Sequence, residues 1–170
     1  MQTILTLILF SKCFLHVRGI KHTTYIVFLF FCHSVWGLQH YTVAGDSMLP
    51  TLKSGDRIAV DSTCLDTDQI QSGALILIQL HNREHPLVKR VVAVPGDLVE
   101  VQSRQLKIGD VSHVLRTTED GLLKKQLQHY GFVIPKNSYI ALGDNHKASL
   151  DSSALGLISK RQITGCVVTP

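Results

Sequence analysis

Two residues of this chain sit in surroundings that could do chemistry: a serine in a rigid turn and a lysine in an apolar strand. Ser47 belongs to Tyr41-Thr42-Val43-Ala44-Gly45-Asp46-Ser47-Met48-Leu49-Pro50-Thr51-Leu52, two residues after a glycine and three before a proline. The glycine permits positive φ and close backbone approach, and the proline fixes φ and removes a donor. The product is a turn that presents one hydroxyl. Taken alone it is explained by an ordinary turn.

Lys89 changes that reading. In Leu87-Val88-Lys89-Arg90-Val91-Val92-Ala93-Val94, strand alternation sets Lys89 on the face of Leu87, Val91 and Ala93, with Arg90 on the opposite face. If the apolar face is the inner one, burial disfavours the ammonium and lowers the lysine pKa. A lysine brought near neutrality acts as a general base. The bland alternative is an edge-strand lysine whose stem carries its charge out to water.

Other chemistries find less support. His81 and His85 are the only histidines at helical spacing, but Asn82 and Pro86 make that stretch a hairpin loop rather than a metal site. Cys13, Cys32, Cys64 and Cys166 lack any zinc-type spacing. A Cys64–Cys166 disulfide suits an exported domain, although sequence does not give the separation of the two residues. The net charge of +4 comes from scattered Lys and Arg, without the clustering that nucleic-acid binding requires. No cofactor, metal or nucleic acid is expected.

The elements that must position Ser47 and Lys89 are strands. About 130 residues follow Tyr41, enough for a single core. The period there is mostly two, over Arg57–Val60, Ala74–Leu80, Leu87–Val94, Leu98–Val101, Leu106–Ile108, Val111–Thr117, Tyr139–Leu142 and Ile163–Val168. Turn signals such as Pro95-Gly96-Asp97 and Gly143-Asp144-Asn145 separate them. Only Glu119–Tyr130 leans helical. Short strands without βαβ alternation predict a mostly β domain, an antiparallel sandwich or partly open barrel.

Ahead of it lies the most apolar part of the chain. Ile4–Val17 is interrupted by Lys12, and a basic patch with Arg18 and Lys21 follows. Thr24–Leu38, extended toward Thr42, reaches the roughly 20 residues of a membrane helix. Basic residues before the span and few after it keep the N-terminus cytoplasmic and the domain outside. A cleaved signal peptide, with Val35 and Gly37 as small residues at the cut, is the rival. The expected organisation is a short N-terminal segment over 1–23, a membrane anchor over 24–42 and an extracytoplasmic domain over 43–170.

Three blocks stand in order: Gly45-Asp46-Ser47-Met48-Leu49-Pro50-Thr51-Leu52, then Val88-Lys89-Arg90-Val91-Val92-Ala93-Val94-Pro95-Gly96-Asp97, then Gly143-Asp144-Asn145-His146-Lys147-Ala148-Ser149-Leu150-Asp151-Ser152. Together, behind an apolar segment, they resemble type I signal peptidases, the membrane-anchored Ser/Lys proteases that remove leader peptides from exported proteins. The resemblance covers nearly all of Val43 to Gly165. It implies Ser47 as nucleophile, Lys89 as general base and Ser149 as the residue that orients the lysine. It places the oxyanion against backbone N–H groups of Ser47 and around Gly45, and gives Met48, Asp144 and Asp151 supporting positions near the site. The family aspartate matching Asp151 braces the site through an arginine, whose position here is Ser153.

A lysine at position 89 implies the bacterial or organellar subtype, since endoplasmic-reticulum relatives use histidine there. The implied function is removal of N-terminal signal peptides at the bacterial inner membrane, with the domain on the extracytoplasmic side. The implied partners are preproteins with small residues before the cut, and membrane lipid. Three alternatives stay open: a conjugative-transfer peptidase that matures pilin subunits, a self-cleaving repressor-type peptidase, and a non-catalytic membrane-tethered β-domain.

Overall fold

Period-two patterning becomes antiparallel sheet throughout the part of the chain described by this computed structural model, residues 38–66, 70–116 and 121–168. The strands β1 (Leu38–Thr42), β2 (Arg57–Asp61), β10 (Ile163–Val168), β3 (Leu75–Ile78), β4 (Leu87–Ala93), β8 (Ser138–Leu142) and β9 (Ile158–Ser159) line up in that order in a seven-stranded sheet. A three-stranded meander of β5 (Val99–Gln102), β6 (Gln105–Ile108) and β7 (Val111–Val114) forms a second sheet. Helix α1 (Leu122–His129) and the single turn α2 (Ser152–Leu155) complete the regular elements used below.

The expected β class holds, but the sheets do not close into a barrel: β1 and β9 are the free edges of the larger one. The predicted strands reappear with shifted ends, because tertiary pairing rather than propensity sets where a ladder stops. The expected strand Val111–Thr117 ends at Val114, and Thr117 lies outside the described residues. The expected helix starts at Leu122 rather than Glu119, which also lies outside them.

One boundary is corrected. Leu38–Thr42, the last five residues of the expected membrane anchor, form β1 and pair with β2 from Leu38↔Asp61 to Thr42↔Arg57. Their backbone polar groups are satisfied by a neighbouring strand, which a spanning helix does not need. Residues 1–37, with the rest of the expected anchor, lie outside the described residues. Among the described residues no helix is long and apolar enough to cross a membrane.

The core divides across the larger sheet. In β8, alternation sends Tyr139 and Ala141 into one cluster with Ile76, Ile78, Val91 and Ile163. Ile140 and Leu142 go to the other cluster, with Leu106 of β6 and Leu123 and Leu127 of α1. In β3, Leu77 packs instead with Val43, Ile58 and Val60, so both faces of that strand are covered and it reads as the unbroken apolar run Leu-Ile-Leu-Ile, buried at every position. Leu123 and Leu127 are one helical turn apart and point the same way. A pairing irregularity between Val91 and Ala93 breaks the alternation of β4, so Ala93 joins the α1 cluster instead of sharing the Lys89 face with Val91.

Cys64, in the turn after β2, and Cys166 of β10 form a disulfide with Cα atoms 6.2 Å apart. The possibility that spacing alone left open is realised because β2 and β10 are neighbours in the sheet, with Cys166 opposite Asp61.

Candidate active site

Ser47 stands in the turn between β1 and β2. Gly45 has φ of 84°, the left-handed conformation that favours glycine, and the Leu49–Pro50 peptide bond is cis. The turn is pinned at its base, where Val43 N donates to Asp56 O at 2.8 Å and Gly55 N donates to Val43 O at 2.8 Å. Met48 is buried beneath it and Ser47 is half-buried. From the other side, Asn145 N donates to Ser47 O and its side-chain amide donates to Asp46 O, both at 3.0 Å. The Ser47 turn is thus gripped by the loop that follows β8.

Lys89 reaches this turn from β4. Its side chain is 1% exposed, the largest fully buried side chain among the described residues. Nζ donates to Ser47 Oγ at 2.7 Å and to the Val88 carbonyl at 2.6 Å. Burial is the main influence on its pKa and lowers it from 10.5 to about 8; Asp151 and Asp144 pull it back up, and Arg83 pushes it further down. The expectation of a lysine on an inner face, in reach of the serine, agrees with this geometry.

Arg90, on the opposite face of β4, grips Asp144 with two bonds: Nε to Oδ1 at 2.8 Å and Nη2 to Oδ2 at 2.7 Å. Thr51 Oγ1 donates to the same carboxylate, and Arg90 Nη1 donates to Gly73 O at 2.9 Å. Burial alone would push the Asp144 carboxyl up, but the Arg90 and Thr51 hydrogen bonds with the Arg90 and Lys89 charges outweigh it and hold the carboxyl below its ordinary value. The sequence assigns Arg90 no role and gives Asp144 a supporting position near the site without a partner. Alternation put Arg90 on the far face from Lys89, but nothing local linked it to a loop 54 residues on.

Two residues given roles by the resemblance make other contacts in this structure. Ser149 is fully buried, yet Lys89 is bonded elsewhere, and the Ser149 hydroxyl has no hydrogen-bond partner among the described residues. It packs instead on Gly143, where an added Cβ would lie 2.2 Å from Ser149 Oγ and 2.6 Å from Ser47 O. The backbone donor expected at Gly45 is engaged, because its N–H donates to Ser54 Oγ at 3.3 Å. The Ser47 N–H has no acceptor among the described residues.

Asp151 keeps a bracing position without an arginine. Oδ2 accepts from Gly143 N at 3.0 Å, while Oδ1 accepts from Ser153 N at 3.0 Å and from the Ser153 hydroxyl at 2.6 Å. It caps α2 and ties it to the Gly143 strand end. Next to it, Ser152 Oγ accepts from Ala141 N at 2.9 Å, satisfying the end of β8.

A cavity of about 470 Å³ opens on Ser47 and Lys89 and is walled by Val43, Ile58, Leu77 and Leu87. No group of three or more His, Cys, Asp or Glu able to hold a metal occurs among the described residues. What the arrangement can do chemically is activate one hydroxyl by a desolvated amine at the mouth of an apolar cleft, as in a serine hydrolase that uses lysine in place of histidine.

Comparison with known proteins gives the family. The family model described as signal peptidase, peptidase S26, matches residues 17–170. Signal peptidase IB of Staphylococcus aureus (strain COL) is 34% identical over 147 residues, covering 75% of this chain and 74% of that protein. Signal peptidase I S of Bacillus subtilis (strain 168) is 34% identical over 135 residues, covering 74% and 72%. A crystal structure of a signal peptidase I from Enterococcus faecalis V583 aligns with a TM-score of 0.40 at 24% identity, covering 58% of this chain and 96% of that one. The chain belongs to the signal peptidase family, peptidase S26, and is a serine endopeptidase.

Proposed function

We propose that this protein is a membrane-anchored endopeptidase that removes N-terminal signal peptides from exported preproteins, with Ser47 as nucleophile and Lys89 as general base. The observation that carries the reading is the 2.7 Å contact between Ser47 Oγ and the buried Lys89 Nζ. With Lys89 neutral, the hydroxyl donates to the Nζ lone pair, and Oγ attacks the scissile carbonyl as its proton passes to the amine. The resulting ammonium then protonates the leaving nitrogen as the C–N bond breaks, leaving an ester on Ser47. Lys89, neutral again, deprotonates water, which attacks the ester; the acyl C–Oγ bond breaks, the Lys89 ammonium returns its proton to Ser47 Oγ, and the new carboxyl group is released. The Val88 carbonyl accepts a hydrogen bond from Nζ throughout, so the amine stays aimed at Oγ.

The Ser47 N–H, without an acceptor among the described residues, is the donor left to meet the oxyanion; one such donor is worth about 2.7–4 kcal/mol of barrier. The orphaned Ser149 hydroxyl supports a role next to Lys89 once acylation removes the serine partner, since an unbonded buried hydroxyl is costly and seeks one. The apolar cavity of about 470 Å³ suits the small residues before the cut, presented as a strand along a sheet edge.

The membrane anchor is placed in the apolar chain ahead of Leu38, where the catalytic domain begins. The disulfide supports an oxidising, extracytoplasmic location for that domain at a bacterial inner membrane. The test is cleavage of a purified preprotein with an Ala-x-Ala site, in detergent, by the wild type and by Ser47→Ala. Cleavage at that site by the wild type alone upholds the reading. Intact precursor with both proteins, each shown to be folded, refutes it.

A further inference from the structure

Past Asp144, the surface continues into a cationic groove that the chemistry at Ser47 does not use. A cavity of about 290 Å³ lies between β7 and the loop after β8, lined by Ser112 and His113 on one side and Gly143 and Asp144 on the other. It adjoins a cavity of about 540 Å³ lined by Arg104, Gln105, Val114, Arg116, His146 and Lys147. The two share Val114 and His146. The first is close to neutral, because Arg90 and Asp144 cancel each other. The second has three cationic side chains and, among the described residues, no carboxylate in its lining.

Among the described residues none of those three cations is paired; the only ion pair is Arg90–Asp144. All three are exposed, and Arg104 is oriented by a bond from its Nε to Leu115 O at 3.1 Å. The loop after β8, whose Gly143, Asp144, His146 and Lys147 line the groove, is bonded to the Ser47 turn through Asn145, which donates to Ser47 O and Asp46 O. The apolar cavity approaches Ser47 from another quarter, by way of β1 and the start of β4. Among the described residues β7 pairs only with β6, so its outer edge has backbone groups free for an extended chain.

We infer that the groove receives the residues that follow the scissile bond and selects substrates with acidic side chains among the first few of them. This rests on the proposed endopeptidase function. The apolar cavity takes the chain before the cut, and the same chain then leaves along β7. Three cations spread over separate segments, rather than converging on one point, match carboxylates spaced along an extended peptide. A single phosphate would leave most of them unused. Opposite charges at such an exposed site act mainly on capture of the substrate and fade with salt.

The test uses a series of precursors identical up to the cut, with Asp, Asn or Lys placed in turn at each of the first few residues after it. The wild type should favour Asp over Asn in kcat/KM by roughly threefold to tenfold at its best position, with Lys below Asn. That preference should shrink toward unity as NaCl is raised. Arg116→Gln/Lys147→Gln should lose the Asp-over-Asn preference, and Arg116→Glu/Lys147→Glu should favour Lys instead. Equal rates for Asp and Asn in the wild type overturn the inference. So does a preference that survives both double variants, or a flat peptide preference together with variant-sensitive binding to phosphatidylglycerol vesicles, which would make the groove a lipid-headgroup site. Failure to cleave even the Asn precursor would count against the endopeptidase reading, a separate outcome.

Discussion

Lys89 carries a conflict between stability and chemistry. Its fold lowers the pKa from 10.5 to about 8, so the charged form is disfavoured in the native state and not in the unfolded chain. The destabilisation is fully present below pH 8, shrinks as pH rises toward 10.5 and is absent above it; it amounts to up to about 3 kcal/mol. Lys89→Met should therefore unfold at higher urea concentration than the wild type at pH 7, with the gap closing near pH 10. The same variant should lose cleavage by three orders of magnitude or more, and Lys89→Arg should be equally inactive because a guanidinium does not deprotonate.

The pH profile follows from the same group. If neutral Lys89 is the base, kcat/KM rises about tenfold per pH unit and levels off above about 8. Asp144 raises the lysine pKa and Arg83 lowers it. Asp144→Asn should move the limb to lower pH and Arg83→Gln to higher pH. Shifts of the same sign in both variants would contradict the electrostatic account.

At the scale of elements, the site depends on how closely the β8 end approaches the Ser47 turn. Gly143 has no room for a side chain: a Cβ would lie 2.6 Å from the Ser47 carbonyl oxygen and 2.2 Å from Ser149 Oγ. Ser149 could rotate away, but the Ser47 backbone could not without moving Ser47 Oγ. Gly143→Ala should cost about 1–3 kcal/mol in denaturant unfolding and more than tenfold in kcat, because a shift of an ångström misplaces Oγ against Nζ.

Element patterns were legible in sequence wherever one rule dominated. The alternation of β2 and the apolar runs of β3 and β8 gave their strands directly. β1 was hidden because Leu38–Thr42 continues an apolar segment long enough to be read as membrane helix, and only its pairing with β2 makes it a strand. β9 and α2 escaped because two- and four-residue elements have no period of their own.

For the whole molecule, the disulfide closes a sequence separation of 102 residues. A link over that span removes unfolded-state entropy worth up to about 4.7 kcal/mol. Cys64→Ser/Cys166→Ser should lower the melting temperature and abolish its sensitivity to reductant, measured by thermal unfolding with and without dithiothreitol. An unchanged melting temperature in both conditions would mean that the pair does not contribute.

Sequence by itself determined what is local or repeated: the β class, the turn that offers Ser47, the apolar face that takes Lys89, and the family, since three motifs in fixed order are a linear property. Tertiary structure alone decided how distant segments meet. The Arg90–Asp144 clasp, the Asn145 grip on the Ser47 turn, the Asp151 brace completed by Ser153, and the engagement of Gly45 by Ser54 each join groups on different segments or in irregular turns. Their hydrogen bonds depend on angles and distances set by packing. No period of two or of three to four records those quantities, because such a period reports only which face a residue is on.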